Sequence, residues 1–410
     1  MEKVVVTGMG AICSLGNNLK NIWENLLNGI SGIGVITLFD PKDLSVKVAF
    51  EVKDFDPGNF IPAKEVRRRD RYQHFSAVAV KEALSQSGLI ITEENAQRIG
   101  VVISTGIGGV GSLDSGIRKL IKKGPRKVNP FVIPMLMSNG ASGLVGIDHG
   151  PKGPALSVSS ACASGQDGIG IGWMMLRSGM IDVAIVGASE APITKFSIAA
   201  FERIGAISSR GVDEHTPSPF DRNRDGLVIG EGAGVLVLEN ESHAKERGAG
   251  ILAEIAGYSS TADAFHITAP QEDGLGGARA IQGALSMAGI DINEVDYINT
   301  HGTGTLLNDV AETRAIKNVF RDRAYAIPAS STKSMTGHMM SATGALETII
   351  CVQAINHNII PPTINYIEPD PECDLDYVPN KARNANVRVA LTNAFGFGGH
   401  NAVLVIKEYL

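Results

Sequence analysis

The chain has 410 residues, 44% of them hydrophobic and 20% charged, with a formal net charge of −6. That length suits two half-domains or one large α/β unit, and the balance of apolar and charged residues is that of a folded soluble protein. The acidic charge is no nucleic-acid footprint, the four cysteines form neither a CxxC pair nor a metal-ligand spacing, and no apolar run reaches membrane-span length, because polar residues interrupt 349–360.

Residues 4–7 enter a strand at once, as expected of a chain without a signal peptide, and with the cysteine usage this predicts a reducing, cytoplasmic location. A helix is predicted over 19–27, a long amphipathic helix over 67–87 ended by Gly88, and a strand over 99–104. Gly106-Ile-Gly-Gly-Val-Gly111 then matches GxGxxG after a strand. Alone this pattern is weak, and Arg126-Lys-Val-Asn-Pro-Phe131 downstream offers no strand-end acid for a ribose, so no nucleotide site is expected. Gly8-Met-Gly10 fails outright, since Cys13 stands where the third glycine belongs. There is no Walker A sequence and no HExxH.

The most informative stretch is 156–179. Residues 156–160 read as a short strand, and a helix from Ala163 places Ile169, Trp173 and Leu176 at helical spacing, with Gly179 to cap it. A strand over 182–187 completes a strand–helix–strand unit with a right-handed crossover. Cys162 therefore lies on the elbow where strand meets helix. Its small neighbours Ala161, Ala163, Ser164 and Gly165 permit a sharp turn, and the positive end of the helix is expected to favour the thiolate. An arbitrary cysteine more often packs as a small hydrophobe; the elbow context favours a nucleophile.

Further on, strands are predicted at 234–238, 251–258, 295–299, 326–331, 387–391 and 402–407. Helices are predicted at 276–288 (stopped at Gly289), 309–320 and 339–357. The alternation defines an α/β protein with helices layered on sheets. No internal repeat is legible in the residue identities.

Three polar loops follow strands in the second half. Asn299-Thr-His301-Gly-Thr303-Gly-Thr305 puts a histidine at a strand's C-terminal end, where α/β proteins place reactive groups, although a lone loop histidine is more often structural. Ser331-Thr-Lys333-Ser-Met-Thr-Gly337-His338 repeats the arrangement. The helix beginning near His338 disfavours imidazolium, so that ring is expected neutral and able to donate to a carbonyl. Asn393-Ala-Phe395-Gly-Phe397-Gly-Gly399-His400-Asn401 is a Gly-rich turn whose amides could hold an oxyanion. A cysteine on an elbow, two histidines, a lysine and such a loop point to Cys-dependent acyl transfer and suit carbon–carbon chemistry on thioesters.

With these motifs in order along nearly the whole chain, the sequence resembles the type II β-ketoacyl-acyl carrier protein synthases, the condensing enzymes of dissociated fatty-acid synthesis. The resemblance rests on Val4-Val-Val-Thr-Gly-Met-Gly10, Ser159-Ser-Ala-Cys162-Ala-Ser-Gly165, Pro219-Phe-Asp-Arg-Asn-Arg-Asp225-Gly, Gly230-Glu-Gly-Ala-Gly234, Asn299-Thr-His-Gly-Thr303, Lys333-Ser-Met-Thr-Gly-His338 and Phe395-Gly-Phe-Gly-Gly399. It implies a thiolase-like fold, two βαβαβαββ halves in a five-layered αβαβα core, assembled as a homodimer. The expected halves are 1–250, carrying the nucleophilic cysteine, and 251–410, carrying the two histidines. No cofactor and no metal are implied.

The resemblance also assigns roles. Cys162 would be acylated, and His301 and His338 would bind the malonyl thioester carbonyl and promote decarboxylation. Lys333 would order the site, with Glu347 in its polar network. The amides of Cys162 and Phe397 would form the oxyanion hole, Phe397 would gate the malonyl step, Thr303 and Thr305 would touch the phosphopantetheine arm, and Ile107 would border the acyl pocket. The implied partner is an acyl carrier protein, itself acidic, so docking on this acidic chain needs a local basic patch; Lys64, Arg67, Arg68, Arg126 and Lys127 are the candidates. Cys13, Cys351 and Cys373 have no role in the family. Leu227 stands where many members have Phe, and His400 where Thr is frequent.

Three other readings compete. A ketosynthase of a dissociated polyketide or specialised-lipid pathway shares every motif. A non-catalytic chain-length partner lacks the active cysteine, which is intact here. A thiolase needs a second catalytic cysteine in the final Gly-rich loop, which has none.

Overall fold

The computed structural model describes residues 2–410. Among them, ten strands form one mixed sheet. The first five in chain order are Val4–Cys13, Ile99–Ser104, Ala155–Leu156, Val183–Glu190 and Gly232–Asn240. The second five are Ala253–Ala262, Tyr297–Asn299, Ala329–Ser330, Val389–Gly396 and His400–Lys407. Across the sheet both sets run third, second, fourth, fifth, first. In both, the second strand pairs in parallel with the third and the fourth, and the remaining neighbours are antiparallel. The sets meet where Val5 and Val6 pair with Glu254 and Ala253. The fold is thus an internal repeat that the residue identities conceal.

The helices complete the layers. Arg71–Ser87 and Gly140–His149 cover one outer face, Leu275–Ala288 and Leu306–Phe320 the other, and Ser164–Arg177 and Ser341–His357 lie between the half-sheets. This is the thiolase-like αβαβα arrangement. Ser341–His357 is apolar on nearly every side, as a helix sandwiched between sheets must be. It crosses Ser164–Arg177 closely at Gly165, where a side chain would come within 3.0 Å of the Ala345 amide.

Elements strong in local signals lie where the sequence places them, including Leu19–Leu27, Ile99–Ser104 and the helices ended by Gly88 and Gly289. Most strand ends shift by a few residues, the expected strand 4–7 running on to Cys13 and 326–331 shrinking to Ala329–Ser330, and three further boundaries have a local cause. The helix expected over 67–87 begins at Arg71, because Asp70 caps it in a box with Gln73, and a separate short helix spans Ala63–Val66. The strand expected over 156–160 pairs only at Ala155–Leu156, because the chain leaves the sheet before Ala161 turns at φ 52°. The helix expected from 339 starts at Ser341, since Met340 has φ 48°.

Candidate active site

Cys162 sits just before the helix Ser164–Arg177, on a turn locked from both sides. The Ser160 amide donates to Ser164 Oγ at 2.8 Å, and Ser164 Oγ donates to the Ala161 carbonyl at 2.6 Å. Ser160 Oγ donates to Asp167, whose other oxygen accepts from Tyr258 at 2.7 Å, tying the elbow to the second half of the sheet. The sulfur opens into a cavity of about 450 Å³. Burial pushes the thiol up to about 11, although the amides of Phe397 and Cys162 and the charge of Lys333 oppose the rise. The expected thiolate is therefore not the resting form: desolvation outweighs the few amides that reach the sulfur, which lies outside the helix proper.

The structure brings both histidines to this sulfur's end of the cavity. His338 Nε2 is 3.2 Å from Cys162 Sγ. Thr343 Oγ1 accepts the Met339 amide at 2.8 Å and lies 3.3 Å from His338 Nδ1, close enough to give that nitrogen its proton and leave Nε2 the N–H of the neutral ring. Burial, then the Lys333 charge, holds His338 down to about 3, and the same two causes lead in pushing His301 well below the usual histidine range. Both imidazoles are neutral, as expected for His338. The rings meet edge to face with centroids 5.4 Å apart. Lys333 Nζ lies 2.7 Å from Glu347 Oε1, each side chain 1% exposed, so the lysine faces its carboxylate and not the cavity.

Phe397, Thr303, Thr305, Ile107 and Leu227 line the same cavity. Thr303 and Thr305 share a hydroxyl–hydroxyl bond of 2.9 Å. Ile107, Phe201, Leu227 and Met340 give the cavity an apolar region, and Asn308, Asp263 and Thr268 a polar one. His400 is exposed and outside the cavity; Cys13, Cys351 and Cys373 are buried and free. Among the candidate docking residues, Lys64, Arg67 and Arg68 line one surface groove with Asn129, Pro130 and Phe131, and the Arg68 guanidinium lies 4.9 Å from the Phe131 ring centre. Arg126 and Lys127 are exposed on the adjoining turn and do not line it.

Sequence reasoning missed three buried carboxylates around this cavity. Glu312 accepts the amides of His301 and Gly302 at 2.8 and 2.7 Å and the Asn393 side chain at 3.0 Å. Asp309 accepts the Thr303 amide at 3.1 Å and the Phe220 amide at 2.8 Å. Glu190 accepts the Gly106 and Ile107 amides at 2.7 and 3.1 Å. That last contact removes the nucleotide alternative, because the amides a pyrophosphate would need are already taken. The available signal was an acid on an otherwise apolar strand or inward helix face, which seldom stays buried without partners.

Among the described residues no group of three or more His, Cys, Asp and Glu side chains could hold a metal ion. A buried thiol that opens into a part-apolar cavity beside two neutral imidazole donors is the equipment of a condensing acyltransferase of the ketosynthase class. Comparison with known proteins agrees. Residues 1–244 match "Beta-ketoacyl synthase, N-terminal domain" and residues 252–367 match "Beta-ketoacyl synthase, C-terminal domain"; the chain belongs to this family. A Synechocystis protein named 3-oxoacyl-[acyl-carrier-protein] synthase 2 is 48% identical over 100% of this chain and 98% of its own length. A Staphylococcus aureus protein of the same name is 47% identical over 100% and 99%. Solved structures are similar throughout: the ishigamide ketosynthase/chain length factor at TM-score 0.93 and 37% identity, covering 100% of both chains, and a ketosynthase complex with a type II polyketide acyl-carrier protein at 0.92 and 34%, also covering 100% of both.

Proposed function

We propose that this chain carries out the decarboxylating Claisen condensation of a Cys162-bound acyl group with malonyl-acyl carrier protein, giving the 3-oxoacyl carrier of fatty-acid elongation. The observation that carries the proposal is the 3.2 Å approach of a neutral His338 to the Cys162 sulfur, with His301 edge-on to it. Cys162 attacks the acyl thioester, its proton leaves on the pantetheine thiol, and the amides of Cys162 and Phe397 hold the oxyanion. Malonyl carrier then enters along Thr303 and Thr305, past Phe397 as gate. Carbon dioxide departs, and the enolate oxygen takes hydrogen bonds from His301 and His338. The carbanion attacks the Cys162 acyl carbon, and the carbon–sulfur bond breaks.

In this reading Lys333, paired with Glu347, adds its charge to the burial that keeps both imidazoles neutral. Ile107 borders the acyl chain. Lys64, Arg67, Arg68, Arg126 and Lys127 receive the acidic carrier. The first half, 1–250, supplies the nucleophile and the second, 251–410, the histidines. The two proteins named for this reaction share 47–48% identity with the chain, above the 34–37% of the two solved structures, which supports elongation over polyketide synthesis. A homodimer is supported by the open edge strand Ala155–Leu156 and by the exposure of Leu156, and of Ile147 and Ile133 on the helices before it. No described helix is long and apolar enough to cross a membrane, and the cysteines are free, in keeping with a cytoplasmic enzyme.

The test is to incubate the protein with acyl carriers of graded length and malonyl carrier, read the products by mass, and map the acylated peptide. The acyl group is expected on Cys162. Modification confined to Cys351 or Cys373 overturns the proposal.

A further inference from the structure

Glu190 ends the strand Val183–Glu190 with a fully buried carboxylate. Among the described residues no Lys, Arg or His lies in ion-pair contact with it; its partners are hydroxyls and amides from two separate segments. Oε1 accepts from Thr105 Oγ1 at 2.7 Å and the Ile107 amide at 3.1 Å. Oε2 accepts from the Gly106 amide at 2.7 Å, Ser341 Oγ at 2.5 Å and the Ser341 amide at 3.4 Å. One segment carries Ile107 and the other follows Met340, and both residues line the cavity that Cys162 opens into. Gly106 also backs onto the elbow, since a side chain there would lie 3.4 Å from the Ala161 carbonyl oxygen. One carboxylate therefore fastens two walls of the apolar region to each other. A buried carboxyl whose partners are all hydroxyls and amides is costly to leave unpaired, so the site is rigid as built.

We infer that Glu190 is a positioning residue for acyl-chain length: it ties the segment that carries Ile107 to the one that follows Met340 and so limits how long a chain Cys162 accepts. The inference rests on the condensing activity proposed above. Its chemistry is asymmetric in a useful way. The loop amides of Gly106 and Ile107 bond to different oxygens, and a backbone N–H cannot turn round to accept. Glu190→Gln replaces one of those oxygens with an NH₂ group, so whichever way the amide sits, one loop bond is lost and the Ile107 wall loosens. The hydroxyls of Thr105 and Ser341 can rotate and accommodate the change.

The experiment compares kcat/KM for a twelve-carbon against a four-carbon acyl carrier in wild type, Glu190→Gln and Thr105→Val, with the KM for malonyl carrier alongside. In Glu190→Gln the long-to-short ratio is expected to rise by up to about tenfold, the scale of one lost buried hydrogen bond, while the malonyl KM stays unchanged. Thr105→Val, which removes a single hydroxyl donor, is expected to move the ratio the same way by a smaller factor. If Glu190→Gln does not fold, Thr105→Val decides alone. A ratio equal to wild type, or an equal loss at both lengths, overturns the inference and leaves Glu190 a structural carboxylate. Wild type that fails to acylate Cys162 with either carrier sinks the functional proposal instead.

Discussion

Thr343 and His338 share a hydrogen bond that decides which imidazole nitrogen carries the proton. The hydroxyl accepts the Met339 amide and has Nδ1 within reach of its own proton; with that bond made, Nε2 carries the ring hydrogen and faces Cys162 and the cavity. Thr343→Val keeps the shape and removes that proton. The ring then has no reason to prefer the Nε2–H form, and malonyl decarboxylation is expected to slow by about tenfold, the scale of one misdirected donor. Rapid-quench measurement of carbon dioxide release checks this; an unchanged rate would mean the tautomer is set elsewhere.

The histidines themselves carry a larger effect. Decarboxylation builds charge on the thioester oxygen, and loss of one preorganised donor costs on the order of 10²–10³ in rate. His338→Ala and His301→Ala are each expected to lose that much in decarboxylation while Cys162 still acylates, since backbone amides serve the first step. Single-turnover assays that follow acyl-enzyme and carbon dioxide separately distinguish the two steps. Equal loss of both steps in folded variants would make the histidines activators of the cysteine.

Carrier docking separates the two basic clusters. Lys64→Glu with Arg67→Glu strips the groove beside Phe131. It is expected to raise the apparent KM for carrier-bound substrates by about tenfold and to weaken its salt dependence. Arg126→Glu with Lys127→Glu, on the adjoining turn, is expected to do so by a smaller factor. Small pantetheine thioesters should react normally with both, and a matching loss with them would show a structural defect.

A pH effect on stability comes from Glu239, remote from the cavity. Burial disfavours its charge, yet hydrogen bonds from Arg247, His243 and Thr7 hold the carboxyl at about 2 against an ordinary 4.5. Its stabilisation, roughly 3 kcal/mol by linkage, is complete above pH 4.5 and lost as pH falls toward 2. His243 is raised by the same contact, so its contribution is complete below 6.5 and lost as pH rises through the higher folded value. The cluster therefore stabilises most between about pH 4.5 and 6.5. Melting temperatures across pH should show Glu239→Gln converging on wild type near pH 2; a constant gap at every pH would refute the linkage.

What the sequence reveals depends on how local the signal is. Cys162, His301 and His338 stand in Gly-rich turns after β-prone runs, and those turns form where read. Glu190 was illegible because its donors are distant in the chain, Gly106 being 84 residues away and Ser341 151; Glu312 and Asp309 take mostly backbone amides of the nearby 301–304 loop, which leave no pattern of side chains to read. The shortness of the strand before Cys162 was hidden for another reason. Residues 156–160 have good strand composition, but the positive φ of Ala161 belongs to the elbow and not to the pattern of side chains. The repeat was invisible because it resides in strand order, which many sequences can satisfy.

Three long helices begin at the cavity wall: Ser164–Arg177 beside Cys162, Leu306–Phe320 after Thr305, and Ser341–His357 after Met340. Each brings its N-terminal end, a positive pole of about half an elementary charge, to the border of that space. Malonate brings a carboxylate into that field, and when carbon dioxide leaves, the charge moves onto the enolate without being created or destroyed. A field of fixed backbone dipoles is as well matched to the second anion as to the first. The barrier is then free of the reorganisation that water would demand as negative charge migrates from one end of the malonyl unit to the other.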